Sequence, residues 1–210
     1  MITMPQILHR FGISLVLFFV VAIAGTTAKA DVYNFSNTNF AAPGFSGTVT
    51  TTLVGNTIQV TVQLNGGYVM HGQAFGFNTT GTGVAITNIS NPTFFTADLS
   101  QGNMDGFGSF QYGLDGPDTA TARANNLNTV TFTVSRTGGF SNANQLGTPN
   151  GDGFIFAAQI AALNTQAATG FAAVGTTPAN VPEPASMLLL GTGLMGLAAG
   201  VRKRFRKDQS

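Results

Sequence analysis

Residues Thr57 to Leu64 read Thr-Ile-Gln-Val-Thr-Val-Gln-Leu, with Ile58, Val60, Val62 and Leu64 at every second position. Side chains along a strand point alternately to opposite faces, so one face here is apolar and the other carries hydroxyls and amides. The pattern predicts a half-buried antiparallel strand. Residues 48–54 predict its partner, and Gly55-Asn56 supplies the two-residue loop of a tight hairpin. Val130, Phe132 and Val134 repeat the alternation among Thr129, Thr131, Thr133 and Ser135, and Phe110, Tyr112 and Leu114 repeat it more weakly. Further strands are expected at residues 73–78, 84–90 and 153–160. Asn65-Gly66-Gly67, Asn91-Pro92, Asp115-Gly116-Pro117-Asp118 and Gly138-Gly139 have the residues that turns require.

Short strands at this spacing predict an all-β fold, a single antiparallel β-sandwich domain, with a jelly-roll-like arrangement or a flattened barrel as the runner-up. Residues 156–164 are Ala-rich and suit a strand followed by a loop, or else a helical turn. The first half of residues 161–180 is open to joining the sheet. No internal repeat stands out.

The two ends break the alternation. Arg10 precedes an apolar run of 15 residues from Phe11 to Gly25, and Ala28-Lys29-Ala30 follows. A charged start, an apolar middle and small residues two apart mark a secretory signal peptide, read by signal peptidase at Ala28 and Ala30 and cut after Ala30. A retained N-terminal anchor is the alternative. Near the other end, Val181-Pro182-Glu183-Pro184 precedes 17 uncharged residues, Ala185 to Val201. As a helix this run reaches roughly 25 Å, the short end of what spans a hydrocarbon core. Arg202, Lys203, Arg204, Arg206 and Lys207 then form a basic cluster that stays on the cytoplasmic side, leaving the rest of the chain outside. The expected organisation is a signal peptide over 1–30, a β-sandwich passenger over 31–174 and a linker with the Pro-Glu-Pro motif over 175–184. A transmembrane helix over 185–201 and a basic cytoplasmic tail over 202–210 complete it.

The order of Val181, Pro182, Glu183 and Pro184, a Leu/Gly/Ala helix and a basic end closely resembles the PEP-CTERM sorting signal of Gram-negative, polysaccharide-producing bacteria. The resemblance implies recognition of the Pro-Glu-Pro by a membrane exosortase and removal of the tail after a transient stay in the inner membrane. Delivery to the cell surface or extracellular matrix, by the general secretory route, would follow. A looser resemblance links residues 153–160 and Thr169-Gly170-Phe171 to the ends of other PEP-CTERM passengers, which often carry His where this chain has Gln159; it implies no activity.

Setting the ends aside changes the charge balance. The formal charge of +1 owes seven of its nine basic residues to the ends. Between Asp31 and Asn180 only Arg123 and Arg136 face six Asp, a net −4. That excludes nucleic acid as a partner, because phosphate contacts need clustered Lys or Arg. The chain has no Cys, which removes disulfides, thiol nucleophiles and thiolate metal sites. Fourteen of the 18 Phe lie in the passenger and argue for a real core.

No catalytic set stands out. His71 is the one His of the passenger and is expected at a surface or strand end. Asp115 and Asp118 would suit paired-carboxylate hydrolysis, but Asp-Gly-Pro-Asp is also turn chemistry. Asp105, Asp115, Asp118 and Asp152, with Asn103 and Asn150, offer oxygens for a structural calcium ion. Without an Asp-x-Asp-x-Asp loop, the assignment is no cofactor, no metal site and no enzyme. Phe94, Phe95, Phe107 and Phe140 are either core or an exposed aromatic surface for sugar stacking. Asn34, Asn78 and Asn88 match the N-glycosylation pattern. The expected role is a surface or matrix-associated structural or adhesive protein. The alternatives are a module binding extracellular polysaccharide and, further off, a secreted hydrolase.

Overall fold

The computed structural model describes residues 29–164 and 169–175. The chain there is strand after strand: β1 (Ala30–Asn34), β2 (Asn37–Thr38), β3 (Gly47–Val54), β4 (Thr57–Leu64), β5 (Tyr68–Met70), β6 (Phe75–Phe77) and β7 (Ala85–Thr87). β8 (Thr96–Asp98), β9 (Gly102–Asn103), β10 (Ser109–Phe110) and β11 (Tyr112–Asp115) follow. A short helix, α1 (Thr119–Ala124), leads into β12 (Thr129–Ser135), β13 (Phe156–Ala162) and β14 (Thr169–Val174). A single 3-10 turn at Ala143–Leu146 lies between β12 and β13.

Two antiparallel sheets dominate. The first has the order β1-β3-β4-β12-β7, and the second β2-β14-β13-β6-β11-β8, with β5 also paired to β13. Both are open, so the described residues form no closed barrel. The predicted hairpin is present, with Val54 opposite Thr57 and Gly55 at φ 61°. That positive φ is the left-handed region a two-residue loop needs, and glycine enters it without a side-chain penalty.

Inward residues of both sheets meet in one core. Ile58, Val60, Val62, Leu64, Val130, Phe132 and Val134 are all at most 1% exposed. Phe132 of the first sheet lies 5.8 Å from Phe75 and 6.2 Å from Phe77 of the second, ring to ring. Tyr33 of β1 meets Phe156 of β13 edge-on at 5.1 Å. Each such ring pair adds roughly 0.5–1.5 kcal/mol to its burial.

The second sheet is covered on its other face too. Met104, Phe107 and Phe110, around the small β9–β10 hairpin, pack with Ala157, Phe171 and Ala173 into a second apolar cluster. The sheet is thin there: a Cβ on Gly76 would stand 2.7 Å from Met104 Sδ and 3.1 Å from Phe110 Cβ.

The structure adds elements to the sequence reading and moves others. β1, β2, β5, β8, β9 and α1 were not expected, and residues 73–78, 84–90 and 153–160 shorten or shift to β6, β7 and β13. Residues 156–162 are strand and not a helical turn, and residues 169–174 join the sheet through β14. Ala30 opens β1 opposite Thr52, and Leu53 N–H donates to Lys29 O. The expected signal-peptide cut after Ala30 thus falls inside the first strand, leaving Asp31 to Asn34 as its remainder. Signal-peptide residues before Lys29, the Pro-Glu-Pro motif, the apolar run and the basic tail lie outside the described residues. Among the described residues no helix is long and apolar enough to cross a membrane.

Candidate functional site

His71 directly follows β5, at a strand end as expected, but is buried and not at the surface; it is 6% exposed. Backbone bonds hold the corner: His71 N–H donates to Gln159 O, Gly72 N–H to Pro117 O and Gly116 N–H to Gly72 O. Its Nδ1 lies 3.1 Å from Thr119 Oγ1, while the buried Nε2 makes no well-formed hydrogen bond among the described residues. Loss of water lowers the ring's pKa, and nearby Arg123 lowers it further, against the carbonyl of Ile160 and the charge of Asp118. A neutral, enclosed imidazole whose neighbour is a helix-capping segment is placed to hold structure together.

The two carboxylates singled out in the turn are separated by their duties. Asp118 caps α1: its Oδ1 accepts from Thr121 N–H at 2.9 Å and its Oδ2 from Thr121 Oγ1 at 3.0 Å. Those bonds hold its pKa below the usual carboxylate value. Asp115 instead faces Asp98. In the β11–β8 register Gly113 is opposite Asp98 and Asp115 opposite Thr96, so the two acids are diagonal neighbours on one face. Loss of water and then the charge of Asp98 raise the Asp115 pKa. The carboxylate neighbours are therefore Asp98 and Asp115, which spacing along the chain did not show.

The remaining oxygen ligands are dispersed or already engaged. Asn150 donates through Nδ2 to Phe107 O and accepts at Oδ1 from Asp152 N–H and Phe154 N–H. Asp152 lies over Gly108 of the β9–β10 hairpin. Among the described residues no three His, Cys, Asp or Glu are grouped to hold a metal ion.

The aromatic residues resolve in favour of the core. Phe95, Phe107 and Phe140 are at most 5% exposed, and Phe94 is half-buried. They form no exposed stacking platform, a correction to the reading that left one open. Of the three glycosylation-pattern Asn, Asn34 and Asn88 are exposed, whereas Asn78 is buried with Oδ1 accepting from Gln111 N–H.

The structure also shows a surface that the sequence reading did not single out as a site. An open cleft of about 550 Å³ lies where β1, β3 and β4 end, lined by Asn34, Phe35, Ser46, Gly47, Thr48, Gln63, Leu64 and Asn65. Not one of these side chains is charged. The outward Thr and Gln positions of the alternating strands were the available signal.

The PEP-CTERM protein-sorting motif matches residues 180–204. No curated protein and no solved structure matches the chain. The chain carries a PEP-CTERM sorting signal, at the residues whose order suggested it. Such a signal implies export, membrane-associated sorting to the cell surface and processing by an exosortase.

Proposed function

We propose that the protein is a non-enzymatic, cofactor-free structural or adhesive domain of the cell surface or extracellular matrix. It is exported with a signal peptide cut after Ala30 and held by the 185–201 helix with its β-domain outside. It is released when an exosortase acts at Pro182-Glu183-Pro184. The sorting motif at 180–204 is the observation that carries this reading. Support for the passive role comes from His71 and Asp118, which are engaged in packing and capping. The domain itself is read as a β-sandwich, supported by the ring contacts of Phe132 with Phe75 and Phe77 between two open sheets.

The test is cell fractionation in the native host with and without its exosortase. The reading expects the passenger at the surface or in the matrix when the enzyme is present and in the membrane fraction when it is absent. An unchanged distribution would contradict it.

A further inference from the structure

We infer that the uncharged cleft at the ends of β1, β3 and β4 is a docking site for a neutral polysaccharide. The inference rests on the reading of the domain as matrix-associated and names what it would hold there.

The cleft's volume of about 550 Å³ falls within the roughly 300–1,000 Å³ of ligand-binding clefts. Among its lining residues Phe35 and Leu64 are apolar and nearly buried, 7% and 1% exposed, with Gly47 against both. A Cβ at Gly47 would stand 3.0 Å from both Phe35 Cδ2 and Leu64 Cδ2, so the bare glycine lets these walls meet. The rim is polar and neutral. Asn34, Ser46 and Gln63 are exposed and Thr48 half-exposed, and these side chains make no hydrogen bond among the described residues. Amides and hydroxyls both donate and accept, which is what a sugar hydroxyl requires. Exchanging water for a neutral partner also avoids the heavy cost of desolvating a charge.

The same chemistry continues across the sheet. Thr48 lies opposite Gln63, and Gln63 opposite Thr129, so the row that starts in the cleft crosses three strands. The next row runs Thr50, Thr61, Thr131, with the hydroxyls of Thr61 and Thr131 3.2 Å apart. Neighbouring strands repeat about every 4.8 Å. A polymer with repeating hydroxyls meets repeating partners, and weak single contacts add through multivalency. The passenger's net −4 disfavours an acidic polymer on the same surface.

The test is native electrophoresis of the full-length protein, in a polyoxyethylene detergent so that no sugar detergent competes. Gels contain dextran, glucomannan or alginate. The expected result is retardation by at least one of the two neutral polymers and none by alginate. The N34A/Q63A variant should raise the apparent Kd at least fivefold with an unchanged melting midpoint, because both side chains are exposed and unbonded. Absence of retardation in both neutral gels overturns the inference, as does equal retardation by alginate. An unaffected double variant, or a concentration-dependent dimer that the variant abolishes in place of glycan binding, also overturns it. Exosortase-dependent fractionation is read separately, so failure of the cleft and failure of the sorting account give different results.

Discussion

His71 Nδ1 lies 3.1 Å from Thr119 Oγ1, joining the end of β5 to the first residue of α1. The ring is buried beside the Gly72–Pro117 contact and takes its charge environment from Asp118 and Arg123.

The corner therefore makes stability depend on pH. An unfolded His titrates near 6.5, whereas burial holds the folded ring lower. As pH falls below about 6.5 the unfolded state takes up the proton first, and stability declines until the folded ring also protonates. Asp118, with its lowered pKa, supports the folded state above the usual carboxylate range and loses that support as pH falls through its folded value. Asp115 works in the opposite sense, because protonation relieves a charge that is partly removed from water and stands beside Asp98. Melting midpoints should fall from pH 7 to pH 5, and His71→Gln should flatten that slope. An equal slope in the variant would remove His71 from the explanation.

Asp118 should matter through its capping bonds to Thr121, which its charge strengthens. Asp118→Ala should lower the urea midpoint through loss of the N-cap, and Asp118→Asn, which keeps an amide oxygen as acceptor, should recover part of it. Urea unfolding at pH 7 measures both. A cost shared by the Asn variant would mean that the charge, and not the bond to Thr121, was responsible.

Phe132 of the first sheet packs against Phe75 and Phe77 of the second. Phe132→Ala should cost roughly 3–5 kcal/mol, while Phe132→Leu should be much milder. Loss of stability on this scale, read from denaturant midpoints, would support one shared core. A change below about 1 kcal/mol would mean that the sheets are stable without each other.

The legible half of the fold is the half with water on one side. Thr57 to Leu64 and Thr129 to Ser135 alternate because the outward face of the first sheet is solvated, and both strands lie at the residues the pattern gave. The second sheet is covered on both faces. Ala157 and Ala173 face the β9–β10 hairpin while Phe156 and Val174 face the main core, so β13 is apolar on both faces apart from Gln159 and shows no alternation. β1 was hidden because its first residue is also the small residue of a signal-peptide site. Nothing in the sequence analysis marked α1, because its six residues are too few for a periodicity, although Asp118 before an Ala/Thr run is a capping signal. The cleft needed the pairing of β3 with β4 to bring Thr48 beside Gln63. The sorting motif was legible because its residues are contiguous.

The most direct measurement is the intact mass and C-terminal peptide of the mature protein from exosortase-containing cells, beside a variant with Pro182, Glu183 and Pro184 all changed to Ala. The account predicts a native form lacking the basic tail, Arg202 to Lys207, and a variant that keeps it and remains in the membrane. A native protein that retains Arg202 to Lys207, with the same mass apart from the substitutions, would contradict it.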